Sequence, residues 1–433
     1  MLDRYKKPST KPLGDFSLEY PEPITLHNGI KLWVVGNGED DINRLAVYMG
    51  GGMLQESVPM EAALTGILCM EGNANMDSRS IAEALDYYGS WKSAQAYDSV
   101  TQISLSSLNR NFAHTARILL DCIASPTFPA EECRLFQRRL ASNIDTARQR
   151  VQYLADERMK QLYYGESHPL ARKMTSAGVM GIGLASLHKH HDTYYNRNNC
   201  RLVLAGKITD REIQTLDDTF GHWSSTGATV SEAPLQPEPS PAMLDIVDKP
   251  GAKQSAVSIT LRAIPRQHPD YFKLRLTTTA LGGYFGSRLN KVIREEKGYT
   301  YGIRGFLAGR KADAYIGINT ECATQYTWRI IDEVKLEMLK LQNKPIPKVE
   351  LDVVKQHIIS DLAKTFDTPF TMAEYVNGTL LNGTYPEYFN DQIDTLQTVT
   401  ATELQELAKR YLLPEKMRIV IAGDTQAINH LKS

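Results

Sequence analysis

Apolar and polar positions change period several times along this chain, and each change marks an element. Ile24-Thr25-Leu26-His27 and Ile30-Lys31-Leu32-Trp33-Val34-Val35 flank the dipeptide Asn28-Gly29. Asn-Gly between two such runs predicts a β-hairpin, because both residues tolerate the positive φ of a tight turn. A strand follows at Leu45–Met49, and a helical stretch begins near Met60. A further strand is predicted near Ser99–Leu105, then a helix from about Asn111 and one continuous helix from about Pro129 to Tyr164. A helix over Leu184–Tyr194 and an apolar strand from Arg201 close the series. The same coarse order recurs between Ala256 and Gly423. Helices inserted between hairpin-paired strands predict an α+β sandwich.

The recurrence extends to the residues themselves. Arg201-Leu202-Val203-Leu204-Ala205-Gly206 is echoed by Arg418-Ile419-Val420-Ile421-Ala422-Gly423, 418 against 201, an offset of 217 in a chain of 433. The same offset pairs Pro169 with Pro386, Leu187 with Leu404 and Tyr194 with Tyr411. Separate matches at one offset predict two copies of one unit. A polar stretch from about Ser224 to Ala242 lies between them and holds Pro234, Pro237, Pro239 and Pro241. Proline cannot donate to a helix or a strand ladder, so this segment is predicted to be an extended, semi-rigid linker. The resulting division is a first domain over residues 1–223, a linker over 224–242 and a second domain of the same α/β sandwich fold over 243–433.

Composition narrows the function classes. The length suggests roughly two to four domains. Lys plus Arg is 49 and Asp plus Glu is 50, a net charge of −1. Nucleic acids select a positive surface, so nucleic-acid binding is not expected as the main role. No apolar run approaches the ~18 residues of a membrane span, and no membrane association is expected. The charged opening MLDRYKKPSTKP has no apolar core of a secretory signal. The cysteines (Cys69, Cys122, Cys133, Cys200, Cys322) are odd in number and never in C-x-x-C spacing. A disulfide framework is therefore not expected, and the reducing cytoplasm is the expected compartment.

The duplicated unit, the proline-rich linker and the glycine run at Gly50-Gly51-Gly52 resemble the pitrilysin/insulinase family of zinc peptidases, and the resemblance covers nearly the whole chain. Its most specific part is Leu289-Asn290-Lys291-Val292-Ile293-Arg294-Glu295-Glu296-Lys297-Gly298-Tyr299-Thr300-Tyr301, after the glycines Gly282, Gly283 and Gly286. In the family an Arg at a helix end, a Gly and a Tyr at this spacing form a substrate-binding pair. Here these are Arg294, Gly298 and Tyr301. Active members also carry H-x-x-E-H on the first long helix, two His on one helical face holding zinc and a Glu acting on the zinc-bound water. The matching helix is Ala62–Met70, placed by Glu71-Gly72-Asn73, which resembles the family's lysine-glycine-threonine ending. The first His falls on Ala63, the Glu on Gly66, the second His on Ile67, and the third zinc ligand, a Glu, on Asn143. All four functional positions are lost together. Ala and Ile suit a packed helix face, so the former metal site is expected to be filled.

None of the ten His residues restores the motif. His188-Lys189-His190-His191-Asp192 could bind a metal, since His188 and His191 share a helical face. Its plainer reading is an outward, polar helix face, and His168-Pro169 reads as a structural loop. Gly50–Gly52 has no following Lys-Ser/Thr of a phosphate loop. The resemblance implies instead an edge strand there that pairs with extended peptide, although a simple bulge fits equally well. The chain is thus expected to be half of a clamshell, with no cofactor of its own and zinc in a partner that carries H-x-x-E-H. The function implied is that of a non-catalytic, substrate-binding subunit of a heterodimeric zinc metallopeptidase that degrades or processes unstructured peptides. The alternatives are a scaffold, like the family-related core subunits of respiratory complexes, and a peptide-binding homodimer.

Overall fold

The computed structural model describes residues 17–230, 236–311 and 313–431. The opening dodecapeptide and Pro234 lie outside the described residues. The first half runs β1 (Ile24–Thr25), β2 (Lys31–Val35), β3 (Ile42–Gly50), α1 (Glu61–Cys69), α2 (Ser78–Tyr87), β4 (Trp91–Ala96), β5 (Val100–Leu108), α3 (Phe112–Ala124), α4 (Ala130–Ala147), α5 (Val151–Tyr164), α6 (Ser176–Met180), α7 (Leu184–Tyr194), β6 (Cys200–Gly206) and α8 (Asp210–Thr219). The second half opens with β7 (Leu244–Asp248), β8 (Gln254–Arg262) and α9 (Tyr271–Thr278), which continues as a π-helical turn over Thr279–Gly283. A second π-helical segment, Asn290–Glu296, leads into β9 (Thr300–Gly309) and β10 (Ala314–Ala323). Then come α10 (Thr327–Asn343), α11 (Lys348–Ala363), α12 (Pro369–Asn382), α13 (Tyr388–Thr398), α14 (Ala401–Tyr411), β11 (Arg418–Gly423) and α15 (Thr425–His430).

The strands form two mixed sheets, ordered β1-β2-β6-β3-β5-β4 and β7-β11-β8-β10-β9. Apart from the two-residue β1, the orders correspond strand for strand. The Arg201 strand β6 lies between parallel β2 and antiparallel β3. The Arg418 strand β11 lies between parallel β7 and antiparallel β8. The architecture is therefore α+β, with two like-ordered sheets.

Strand alternation explains why both sheets are buried on two faces. On β3, Leu45, Val47 and Met49 join Leu64, Leu68 and Leu119 in a core under that half's own helices. The intervening Ala46 and Tyr48 pack instead with Ala373 and Val376 of α12, a helix of the other half. The second sheet returns the arrangement: Ala256, Val420 and Ala422 pack with Val151, Ala155, Met159 and Leu162 of α5. Each half thus lends one helix to cover the other's sheet.

That exchange breaks the continuous helix expected over Pro129–Tyr164. α4 ends at Ala147 and α5 starts at Val151. At the break, Arg148 Nη1 donates to Glu157 (2.7 and 3.0 Å) and to the Met174 carbonyl (3.3 Å). No Gly or Pro marks the spot, so the redirection is set by the distant sheet that α5 must cover. Residues 238–240 then run beside the end of α5. Glu238 and Ser240 N–H donate to the Tyr164 and Leu162 carbonyls (3.0 and 2.9 Å), which the end of a helix leaves without intrahelical partners.

Candidate functional site

Ala63, Gly66, Ile67 and Asn143, the positions on which the family's zinc motif falls by resemblance, sit on α1 and α4, which pack against each other. Ala63 and Ile67 are half-buried, Gly66 is buried and Asn143 is exposed. Only Asn143 among them carries a side-chain donor atom. A Cβ on Gly66 would lie 2.6 Å from Thr101 Cγ2, so no side chain fits where the motif has its Glu. Among the described residues no group of three or more His, Cys, Asp or Glu is arranged to hold a metal. These residues do not fit a zinc ion.

The expectation of a filled site needs correction. Ala63 lines a cavity of about 620 Å³ that lies between the two halves. α5 forms one wall with Tyr153, Asp156, Glu157 and Lys160, residues spaced to share one helical face. Met53, Glu56, Pro59 and Met60 come from the loop before α1, and Arg172 and Met174 from the loop after α5. Thr260, Phe306, Tyr315 and Asn319 close it from the second sheet. The space exists because Ala63, Ala94, Ala96 and Gly317 present little or no side chain to it.

Its polar groups are mostly committed. Asp156 Oδ1 accepts from Ser258 Oγ (2.7 Å), Gln152 Nε2 (2.8 Å) and Asn319 Nδ2 (3.1 Å). Glu157 pairs with Arg148 at 2.7 Å. Arg310 reaches across to Asp98 and Tyr164, tying the β9–β10 turn to the β4–β5 turn. The Tyr153 hydroxyl is buried and has no partner. Two carboxylates flank the start of α1 and behave oppositely. Burial pushes Glu56 up to about 7, against the opposing pull of the Ala62 and Met60 N–H groups and of Arg172. Burial also acts to raise Glu61, but the His190 ring 3.8 Å away and hydrogen bonds from Ser186 and Ser57 outweigh it and hold the group at about 2.

Gly50, Gly51 and Gly52 do not form an edge strand. Gly50 is the last residue of β3, an interior strand between β5 and β6, and pairs with Val100 of β5; Gly51 and Gly52 follow the strand's end. All three are buried, and a Cβ on Gly52 would lie 2.4 Å from the Tyr97 carbonyl oxygen and the Val100 nitrogen. They are close-packing glycines with no free edge to offer. Among the described residues the outer strands of this sheet are β1 and β4, and β4 is a strand the pattern reading missed. Its exposure alternates along Trp-Lys-Ser-Ala-Gln-Ala, and Ala94, Gln95 and Ala96 border the cavity. The short polar–apolar alternation Ser93-Ala94-Gln95-Ala96 was the signal available in the sequence.

The histidine cluster divides. His188, Lys189 and Asp192 are exposed, as a polar helix face requires. His190 and His191 are instead buried and donate to the Gly51 and Ile123 carbonyls at 2.9 and 2.8 Å. They lock α7 to the core and hold no metal-ligand constellation. His168 caps the turn at Pro169, its Nδ1 accepting from Leu170 N–H at 3.2 Å.

Arg294 lies in the π-helical segment before β9, Gly298 turns with φ +64°, and Tyr301 sits at the start of β9. Tyr301 is 93% exposed. Arg294 stacks over the Phe285 ring at 4.1 Å and keeps a buried Nη1 without a partner. It makes no ion pair with Glu295 or Glu296. Neither Arg294 nor Tyr301 lines the cavity over Ala63, so these two candidate regions are separate on this chain.

Two like-ordered sheets, each covered by a helix from the other half, with a degenerate motif helix against a recess, define a peptidase-like clamshell half. Residues 181–358 match the family model of the peptidase M16 inactive domain. The chain is 20% identical over 393 residues to the "Uncharacterized zinc protease YmxG" of Bacillus subtilis, covering 89% of this chain and 94% of that protein. Its fold matches the peptidase M16 inactive domain from Pseudomonas fluorescens with a TM-score of 0.83 at 22% identity, over 94% of this chain and 99% of that one. It also matches the periplasmic protease PqqL from Escherichia coli with a TM-score of 0.78 at 16% identity, over 98% of this chain but 47% of PqqL. The match to the peptidase M16 inactive domain thus lies over residues 181–358, and along most of its length the chain is similar to proteins named zinc proteases, while its sequence holds no H-x-x-E-H motif.

Proposed function

We propose that this chain is the non-catalytic, substrate-binding subunit of a heterodimeric zinc metallopeptidase that acts on unstructured peptides. The observation that carries this reading is the recess at Ala63, which adjoins the free edge of β4 on a motif helix stripped of zinc ligands. An extended peptide can add to such an edge through main-chain hydrogen bonds, whatever its sequence. The partner supplies the H-x-x-E-H motif, the zinc and the activated water. This chain supplies chamber wall, strand edge and the donors Arg294 and Tyr301. The open exposure of Tyr301 favours contact with substrate over a scaffold, where such a ring is expected to be covered. The five cysteines are free and buried, which suits the cytoplasm, and among the described residues no helix is long and apolar enough to cross a membrane.

The test is affinity purification of the tagged full chain from its native host. The proposal expects a similar-length chain with intact H-x-x-E-H to co-purify in equal amount, and zinc-dependent peptidase activity to follow the complex. Recovery of the chain only as a homodimer, or within a large assembly without such a partner, overturns it.

A further inference from the structure

We propose that the loop between β3 and α1 is a flap on the cavity between the halves, and that it loosens when Glu56 takes on its charge. This concerns access to the cavity and stands apart from the peptide-binding reading.

Geometry carries the argument. Met53, Glu56, Pro59 and Met60 bring the loop to the cavity. Its first part is fixed, because Met53 and Leu54 N–H donate to the Tyr97 and Asp98 carbonyls of the β4–β5 turn at 2.9 and 2.8 Å. Residues 55–60 belong to no helix or strand, and side chains tie them down. Arg172 Nη2 and Nη1 donate to the Glu56 and Ser57 carbonyls at 2.8 and 2.7 Å. Glu61 accepts from Ser57 N–H at 2.6 Å. Glu56 turns its own carboxyl to the first turn of α1, where it accepts from Ala62 N–H at 3.3 Å. Met60 joins the loop to α1 with φ +77°, a left-handed conformation that a residue with a side chain adopts at a cost. A segment strained at its junction and tied by few bonds opens locally before the core around it does.

Glu56 is the weak tie. It is 7% exposed and, among the described residues, forms no ion pair. Arg172 engages the loop's carbonyls instead of this carboxylate. A neutral carboxyl suits such a place, whereas a carboxylate gives up its hydration for one long hydrogen bond. Burial therefore outweighs the Ala62 and Met60 N–H groups, Arg172 and His190, and Glu56 stands at about 7. The other charged groups around this space are occupied or of the wrong sign. His190, on α7, is bonded to the Gly51 carbonyl and lies 3.8 Å from Glu61. Glu61, one residue before Ala62, is already charged. α5 brings Asp156, Glu157 and Lys160 to the cavity, and the β9–β10 turn brings Arg310. Glu157 is paired with Arg148, and Arg310 with Asp98. An open loop returns the Glu56 carboxyl to water and to its ordinary 4.5. The closed loop holds the proton more tightly, so closure is favoured at low pH and weakens as pH rises through about 7.

Hydrogen exchange of the whole chain, corrected for the intrinsic pH dependence of amide exchange, tests this. Protection of residues 55–62 is expected to fall about tenfold between pH 6 and pH 8, while β3 and α5 keep theirs. Glu56→Gln keeps the shape and stays neutral, and it is expected to abolish the fall. His190→Gln removes the neighbouring imidazole and is expected to leave the fall in place. Glu61→Gln loosens the tie to Ser57 and is expected to lower protection equally at both pH values. If circular dichroism shows that Glu56→Gln has lost its fold, the carboxyl-carbon NMR shift of Glu56 in the unaltered chain decides, and it must move over the same pH range as the protection. A loop whose protection ignores pH, a fall shared by the whole chain, a fall that survives Glu56→Gln, or one that vanishes in His190→Gln overturns the proposal.

Discussion

The two halves share a strand order but differ in what lies between their second and fourth crossings. In the first, α1 and α2 join β3 to β4 as two regular helices, and small residues leave a recess. In the second, the path from β8 to β9 runs through α9 and two π-helical segments. There the chain projects outward: Arg294 lies on Phe285, itself 65% exposed, and Tyr301 stands clear of the surface. A π-helical segment widens the turn and shifts side-chain directions, and such segments are frequent at functional sites. The difference teaches that duplication preserved the sheets, which many buried contacts hold, while the connecting helices diverged into a concave face and a projecting one.

The strongest way to break this comparison is to put a motif residue back on α1. Gly66→Glu drives a side chain into Thr101 and buries a charge, and it is expected to cost roughly 4 kcal/mol or more. Chemical denaturation measures this. Adding Ala63→His, Ile67→His and Asn143→Glu is expected to give no stoichiometric zinc after dialysis. A stable quadruple variant that retains one zinc per chain shows that the helix could still serve as a metal site.

The projecting face is tested by turnover in the complex with an H-x-x-E-H partner. Arg294→Ala and Tyr301→Phe each remove a donor, and loss of about 2.7–4 kcal/mol of transition-state stabilisation, a hundredfold or more in kcat, is expected. Assembly is expected to stay intact, since Tyr301 is 93% exposed on the isolated chain and its loss leaves this chain's own packing unchanged. Unchanged turnover in both variants leaves that face without a catalytic role and favours the scaffold.

The helix exchange predicts that the halves unfold as one unit despite their different faces. Val376→Ala on α12 is expected to destabilise by about 1.5–3 kcal/mol, the worth of a fully buried Val. A single calorimetric transition moving as a whole bears this out. Two transitions, only one of which moves, show independent halves.

The smallest effect concerns pH, and it marks the first half alone, since among the described residues no buried carboxylate stands just before α9. Glu56 titrates at about 7 when folded against an ordinary 4.5. The folded state holds that proton more tightly, so the group's contribution is full below the ordinary value and is lost as pH rises through about 7. Glu61, at about 2, stabilises above 4.5 and loses its contribution as pH falls toward 2. Glu56→Gln is therefore expected to raise Tm more at pH 8 than at pH 4, and Glu61→Gln to lower it at pH 7 but little near pH 2. Parallel pH profiles for the two variants contradict the opposed environments.

Local pattern by itself determined a good deal. The Asn28-Gly29 hairpin, the α7 helix over Leu184–Tyr194 and the echo of the Arg201 strand at Arg418 were legible because each depends on neighbours in sequence or on identity at a fixed offset. That Ala63, Gly66 and Ile67 carry no metal-ligating or acid–base side chain was legible for the same reason: it is a matter of residue identity alone. Tertiary structure alone decided the rest. The break between α4 and α5 follows from a sheet in the other half, about which residues 148–150 carry no local signal. His190 and His191 look like surface residues until the Gly51 and Ile123 carbonyls come within hydrogen-bond reach. Gly50–Gly52 looks like an edge until β3, which ends at Gly50, is placed between β5 and β6. Whether an alanine at position 63 fills space or leaves it empty depends on volumes contributed by six separate segments of chain, and those volumes meet only in the folded protein.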